Sequence, residues 1–359
     1  MQIVIKIMNP VIKFLLLPFS FIYGLIICVR NLLYDFNILK SKAYNLPVIS
    51  IGNLSMGGTG KTPHIEYLIR LLGNKYKIST LSRGYKRKSK GFLLATGNHS
   101  FYDIGDEPLQ YFDKYKQISV AVCENRCKGV ENLIEQINPE VILLDDAFQH
   151  RSIKPGLNIL LTDYYDMYHK NLPLPAGTLR EFKMGANRAD IIVVTKTPDV
   201  FSPILIKEVI SQIKPKPQQK VYFSYIKYGN LIPINEPLAE KQKYFPFILL
   251  FSGIANPYPL EDKLKRICTD LITVKFDDHH SFTIDDLKKV KEKFLSLPTQ
   301  NKIIVTTEKD AVKLKVPELA EELKKLPLFY VPIEIEFHNR DKAAFDNDVL
   351  EFCKANIKA

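Results

Sequence analysis

The sequence has no tryptophan and five cysteines, Cys28, Cys123, Cys127, Cys268 and Cys353, none of them in a C-x-x-C pair. An odd count without that spacing argues against a disulfide framework, and no further ligands flank Cys123 and Cys127 to make a zinc site. The thiols are expected to be reduced, as in cytosol. Low-complexity tracts, internal repeats, zinc-finger spacing and aromatic RNA-binding motifs are also lacking. With 25% charged and 46% hydrophobic residues the chain reads as an ordinary globular α/β protein rather than a disordered one. Its net charge of +11 attracts anions. Without a nucleic-acid motif, phosphorylated small molecules or an anionic membrane surface are the expected partners, and nucleic acid is not. At 359 residues the chain exceeds the roughly 250 that one core usually serves, so two domains are expected.

One stretch lacks charge altogether. Phe14 to Val29, FLLLPFSFIYGLIICV, runs sixteen residues between Lys13 and Arg30. A spanning helix needs about 20 apolar residues, and Pro18, Ser20 and Gly24 weaken this one. It falls between a short span and an interfacial helix, with a buried core helix as the alternative. A cleaved signal is disfavoured, because Ser41-Lys42-Ala43 is a poor and distant cleavage site and a nucleotide-binding motif follows. The basic flanks favour the cytoplasmic face of a membrane, whose lipids would be a partner.

The β-branched run Pro47–Ile51 leads directly into Gly52-Asn53-Leu54-Ser55-Met56-Gly57-Gly58-Thr59-Gly60-Lys61-Thr62, then into an apolar-periodic stretch to Leu72. Strand, glycine-rich turn and helix in that order form a phosphate-binding loop. Residues 55–62 are expected to cradle a nucleotide: the glycines turn amide groups inward, Lys61 reaches the β- and γ-phosphates, and Thr62 offers a hydroxyl to Mg²⁺. Ser55 stands where the usual pattern has its first glycine, and Met56 where some targeting ATPases carry a second lysine. A second apolar run, Val141–Leu144, ends in Asp145-Asp146, as expected of a buried strand presenting carboxylate to Mg²⁺.

Apolar runs at 48–51, 78–81, 119–123, 141–145, 158–162 and 191–195, separated mostly by helical patterns, predict a doubly wound parallel sheet of P-loop type. Beyond the Lys214–Gln218 break, Phe247–Phe251, Leu271–Phe276, Ile303–Thr307 and Leu328–Ile335 supply a second, smaller α/β domain. The expected division is 1–35 as a membrane-associated helical segment, 36–222 as the P-loop domain, 223–236 as a β linker and 237–359 as the smaller domain.

Lys61 and Asp145-Asp146 stand in order with Gly105-Asp106-Glu107-Pro108, Asp146–Arg151 (DAFQHR), Pro175–Glu181 (PAGTLRE), Asp278-His279-His280 and Thr306–Ala311 (TTEKDA). Together these closely resemble the tetraacyldisaccharide 4′-kinase family. The resemblance implies two α/β/α domains joined by a short β linker, with the active site between them. It implies transfer of the ATP γ-phosphoryl group to the 4′-hydroxyl of a tetraacyldisaccharide 1-phosphate, a lipid A precursor. The competing reading is a membrane-associated ATPase that hydrolyses nucleotide to drive targeting or assembly; a GTP switch is disfavoured because Thr195-Lys196-Thr197-Pro198 misses the base-reading N/T-K-x-D pattern.

The resemblance also assigns roles. Asp106 becomes the candidate base, although Asp-Glu-Pro also fits a helix N-cap with proline in the first turn. A histidine of Asp278-His279-His280 would pair with it across the cleft, His279 being favoured because adjacent side chains of an extended segment point to opposite faces. Arg180 and Glu181 match positions that contact substrate or shape its pocket, and Phe182 stands where many relatives have proline. Arg83, in Ser82-Arg83-Gly84-Tyr85, is placed near the nucleotide or acceptor. Arg126 is either a phosphate ligand or a solvated helix charge. Gln149 and His150 would support the metal site. The basic run Lys86, Arg87, Lys88 and Lys90 is a solvated loop or an attractor of lipid headgroups.

Overall fold

The structure is a computed structural model that describes residues 9–235, 244–254, 256–278 and 280–357. It opens with helix α1 (Pro10–Asp35), longer at both ends than its uncharged stretch because Asn9 caps it through Val11 N at 2.9 Å and Pro10 occupies its first turn. At about 1.5 Å per residue it is roughly 39 Å long. Only Ser20 and Gly24 are buried on it.

The chain then lays down β1 (Val48–Asn53), α2 (Lys61–Leu72), β2 (Ile78–Ser82), β3 (Leu93–Leu94), α3 (Phe101–Ile104), α4 (Asp106–Lys114), β4 (Ser119–Val122), α5 (Arg126–Ile137), β5 (Val141–Asp145), β6 (Leu157–Asp163), β7 (Ile191–Thr195), α6 (Pro203–Ile213) and β8 (Lys220–Tyr228). Beyond these come β9 (Ile232–Pro233), β10 (Phe245–Ser252), α7 (Tyr258–Lys265), β11 (Cys268–Lys275), α8 (Ile284–Leu295), β12 (Lys302–Thr307), α9 (Glu308–Lys313), α10 (Pro317–Leu323), β13 (Leu328–Val331), β14 (Ile333–Phe337) and α11 (Asn339–Asn356).

Two sheets result. The larger has the order β14-β8-β7-β6-β1-β5-β2-β4-β3, parallel from β8 to β4 and closed by antiparallel strands at both edges. Strands β1, β2, β5 and β7 are buried along their whole length; β5 and β7 are accordingly near-continuous apolar runs, while β1 and β2 also bury the small polar residues Ser50, Ser79, Thr80 and Ser82. The smaller sheet has the order β11-β10-β12-β13-β9, parallel except for β9.

The chain passes between the sheets twice. It leaves along β8 and returns along β14, which pair antiparallel from Tyr228 with Ile333 to Ser224 with Phe337. The expected boundary at residue 222 falls inside β8, and the run Leu328–Ile335 is two strands in two different sheets. Pro332 separates them, since it has no N–H to continue a ladder, and its carbonyl accepts Gly229 N at 2.9 Å where the outgoing strand ends. The C-terminal helix α11 also lies on the larger sheet, with Phe345, Val349 and Cys353 packed among Tyr222, Ile335 and Phe337. Parallel strands fix the position of the site, because β1, β2, β5, β6 and β7 all end at one edge and deliver their loops there.

Candidate active site

The loop after β1 closes over its own backbone. Gly57 has φ 114° and Gly60 φ 87°, left-handed values that a β-carbon disfavours. Asn53 Nδ2 donates to the Gly57 carbonyl at 3.3 Å, and Thr195 Oγ1, at the end of β7, donates to the Thr59 carbonyl at 2.9 Å. From the other side, Met56 N donates to Thr178 O at 2.7 Å and Arg180 N to Leu54 O at 2.7 Å, so the segment Pro175–Glu181 is clipped alongside the loop. The expected cradle, Ser55 to Thr62, is thus held by two neighbouring segments, with Lys61 and Thr62 opening α2.

His64 secures that helix start. Its Nδ1–H donates to Gly60 O at 2.6 Å, leaving Nε2 to accept from Ser224 Oγ at 3.1 Å. Burial pushes this histidine down to about 4, only partly opposed by the Gly60 hydrogen bond. An unfolded histidine titrates near 6.5, so between about pH 6.5 and 4 the unfolded chain binds a proton that the folded chain refuses. Stability is therefore full above that window and falls as pH drops through it. Denaturant midpoints measured across this range should decline more steeply for wild type than for His64→Gln; equal slopes would mean the imidazole is not held neutral.

At the end of β5 the two aspartates part company. Asp146, with φ 48°, points to Lys61 Nζ at 3.6 Å and to Arg180 Nη1 at 2.9 Å. Burial would raise its carboxyl, but Lys61 and Arg180 outweigh it and hold it at about 2. Asp145 is buried, and burial followed by the Glu107 and Asp146 charges pushes it up to about 7 against the pull of Lys61. Its Oδ2 accepts the Tyr111 hydroxyl at 3.0 Å, while its buried Oδ1 has no partner. An orphaned carboxylate oxygen that also feels the Lys61 charge suits a divalent cation, which would remove the cost of burying that charge. No group of three or more His, Cys, Asp or Glu side chains with metal-ligand geometry exists among the described residues. The donor set fits Mg²⁺ of the kind held by one or two carboxylates together with substrate phosphates.

Asp106 is the first residue of α4, not its N-cap; Gly105 takes that place, and Asp106 Oδ1 accepts the next amide, Glu107 N, at 3.1 Å. Glu107, not among the expected site residues, faces inward, with Oε1 at 3.5 Å from Thr62 Oγ1. Lys309, at the start of α9 on the smaller sheet, reaches both carboxylates, Asp106 at 3.8 Å and Glu107 at 3.9 Å. Burial alone would lower its ammonium, but Glu107 and then Asp106 hold it above its ordinary range. A second bridge supports this contact: Lys114 pairs with Glu66 of α2 at 2.7 Å and Glu308 of α9 at 2.8 Å.

Arg126 fits neither expected alternative. Its guanidinium is 1% exposed and donates to the carbonyls of Cys123 at 2.6 Å, Glu124 at 3.4 Å and Asp145 at 3.5 Å, so it braces the acidic strand end from below. Burial lowers it to about 10, the two aspartates opposing. Arg83 is exposed at the end of β2 and free of ion pairs among the described residues. His150 is held down at about 4 by burial and then by Arg126 and Arg83. Gln149 Nε2 bridges Asn53 O at 2.9 Å and Glu181 Oε1 at 3.0 Å, supporting the loop around the aspartates. His280 is committed elsewhere, its Nε2 on Asp286 at 2.9 Å and its ring stacked on Phe276. His279 lies outside the described residues.

Comparison with known proteins follows the same outline. The family model described as tetraacyldisaccharide-1-P 4′-kinase matches residues 12–354. Relatives named tetraacyldisaccharide 4′-kinase include those of Bacteroides thetaiotaomicron, 45% identical with 96% of this chain and 94% of the relative covered, and of Flavobacterium johnsoniae, 45% identical with 96% and 98% covered. The crystal structure of LpxK from Aquifex aeolicus, an "apo" form in complex with ATP, superposes with a TM-score of 0.72 at 30% identity, over 95% of this chain and 99% of that one. A match along nearly the whole chain, joined to a phosphate-binding loop facing an acidic strand end, places this chain in the tetraacyldisaccharide-1-P 4′-kinase family.

Proposed function

We propose that the chain transfers the γ-phosphoryl group of ATP to the 4′-hydroxyl of a tetraacyldisaccharide 1-phosphate, a lipid A precursor, at the cytoplasmic face of the inner membrane. The observation that carries this reading is the convergence, at one sheet edge, of Lys61, Thr62, Asp145 and Asp146 with Asp106 and Glu107. Phosphoryl transfer asks a protein mainly to neutralise phosphate charge, align the acceptor and take its proton. The amides of 55–62 and the Lys61 ammonium bind the phosphates. Thr62, Asp145 and Asp146 hold Mg²⁺, with Glu107 close enough to Thr62 to join them. When bound, Mg²⁺ supplies charge neutralisation at the transferring phosphate. Asp106 takes the acceptor proton, and His279 serves as its orienting partner. Arg180 and the exposed Arg83 face the anionic acceptor, while Arg126 fixes the strand end and Glu181 shapes the pocket wall.

The lipid nature of the acceptor agrees with α1, whose mean hydropathy reaches 2.2 and whose outward residues, among them Phe14, Phe19 and Phe21, are more than half exposed. An apolar face of that extent suits membrane lipid. Nucleic acid has no part in this reading. The expected division at 36–222, 223–236 and 237–359 serves it as a working one, with β14 and α11 added to the larger unit.

The test is incubation of the protein with labelled ATP, Mg²⁺ and tetraacyldisaccharide 1-phosphate in vesicles. Label should appear on the lipid at the 4′-position. Hydrolysis of ATP without label on the lipid would sink the kinase reading in favour of an ATPase.

A further inference from the structure

Helix α1 does more than present an apolar face. Its polar and small residues at 20, 23, 24, 30 and 31 share one side, the spacing of a helical stripe, and that stripe is seated on the site. Ser20 Oγ accepts Ala176 N at 2.8 Å, and the Tyr23 hydroxyl donates to Arg180 O at 2.9 Å. Arg30 Nη2 donates to Gln149 O at 3.0 Å, and Asn31 Nδ2 to Glu181 Oε2 at 2.8 Å. At Gly24 the helix meets the Phe182 ring so closely that a β-carbon would stand 2.4 Å from its Cζ. These contacts all end on the two loops that carry Asp146 and Arg180.

Glu181 is the hub. Its carboxylate is 2% exposed and accepts from Asn31, from Gln149 at 3.0 Å, and from both terminal nitrogens of Arg188 at 2.9 and 2.7 Å. With four donors on two oxygens it has no lone pair left for an incoming ligand. Its neighbour Arg180, by contrast, turns its side chain to Asp146. A buried carboxylate locked in this way fixes the backbone at 180–181 and so the direction of the arginine beside it.

We infer that Asn31 and Glu181 are positioning residues, and that seating of the apolar helix α1 on this carboxylate sets the Arg180–Asp146 pair, so the kinase site is complete only with the membrane-facing helix docked. This rests on the proposed roles of Arg180 and Asp146. Neither Asn31 nor Glu181 touches the reacting atoms; they act through Arg180.

Kinetics on vesicle-borne tetraacyldisaccharide 1-phosphate test it. Asn31→Ala should lower kcat by on the order of ten-fold, because small displacements of a charge-aligning group are costly. The KM for ATP and co-sedimentation with vesicles should stay at wild-type values, while the thermal midpoint falls by only a few degrees as one buried lone pair loses its donor. Asn31→Asp, which sets a second carboxylate against Glu181, should lose more. Wild-type kcat in Asn31→Ala overturns the inference and leaves the proposed function standing. A fully active Arg180→Ala variant would instead overturn the reading of the site on which the inference rests.

Discussion

Asp106→Asn is expected to lower kcat by about 10²-fold or more while leaving the KM for ATP close to wild type. The substitution keeps the shape and the oxygen that accepts Glu107 N, so α4 should start as before. What it removes is the ability to take a proton. The Lys309 ammonium, 3.8 Å from Asp106 and 3.9 Å from Glu107, lies between the two carboxylates and holds them at the mouth of the phosphate loop. If kcat in Asp106→Asn stayed within a few-fold of wild type, the base would have to be sought elsewhere, with Glu107 next in line.

The larger part of the fold was legible in the sequence because parallel strands buried on both faces need not alternate: Val141–Leu144 and Ile191–Val194 announce themselves as unbroken apolar runs, and Val48–Ile51 is interrupted only by Ser50. The phosphate loop was legible for a different reason, since its glycines, lysine and threonine must stand at fixed spacing to wrap a phosphate. The sheet switch at Pro332 was not legible, because Leu328–Val331 and Ile333–Phe337 are equally strand-like and nothing local says that they join different sheets. Helix α11 is amphipathic, but the periodicity of Phe345, Val349 and Cys353 tells only that it has a buried face, not which sheet that face covers.

Within the site, the residues read from a motif with its own mechanics came together: Lys61, Thr62 and the aspartates that end β5. Those defined only by distant pairing did not show themselves. Glu107 does not stand out because Asp-Glu-Pro reads as a helix start, and nothing local says that both acids turn toward Lys309. Lys309 is the second residue of a short helix that Thr307 caps through Asp310 N at 3.1 Å, and its reach to Asp106 depends on the docking of one sheet against the other. Arg126 shows the limit most plainly. A basic residue in the first turn of a helix is usually solvated; here two carbonyls of the preceding turn, Cys123 and Glu124, and that of Asp145 at the end of β5 lie beneath it, and burial follows from filling them.

Lys61→Met should cost kcat about 10²- to 10³-fold, the magnitude for removing one preorganised donor from a developing charge. In the structure the Lys61 ammonium stands 3.6 Å from Asp146, beyond ordinary hydrogen-bond length, whereas Arg180 holds the same carboxylate at 2.9 Å. The two cations are therefore not equivalent. Arg180 is the tight hydrogen-bonded partner of Asp146, and the looser lysine is the one placed to turn to phosphate. Methionine keeps the length and the apolar stem of the side chain, so the loss should appear in turnover and not in folding, with the thermal midpoint unchanged. Lys61→Arg should recover only part of the rate, because a planar fork cannot replace a compact charge at the bottom of a loop shaped by Gly57 and Gly60. The assays are single-turnover transfer to the lipid and, in parallel, nucleotide binding measured at equilibrium. Retention of more than a tenth of the wild-type rate by Lys61→Met would mean that the loop binds something other than the transferring phosphate, whatever its sequence resembles.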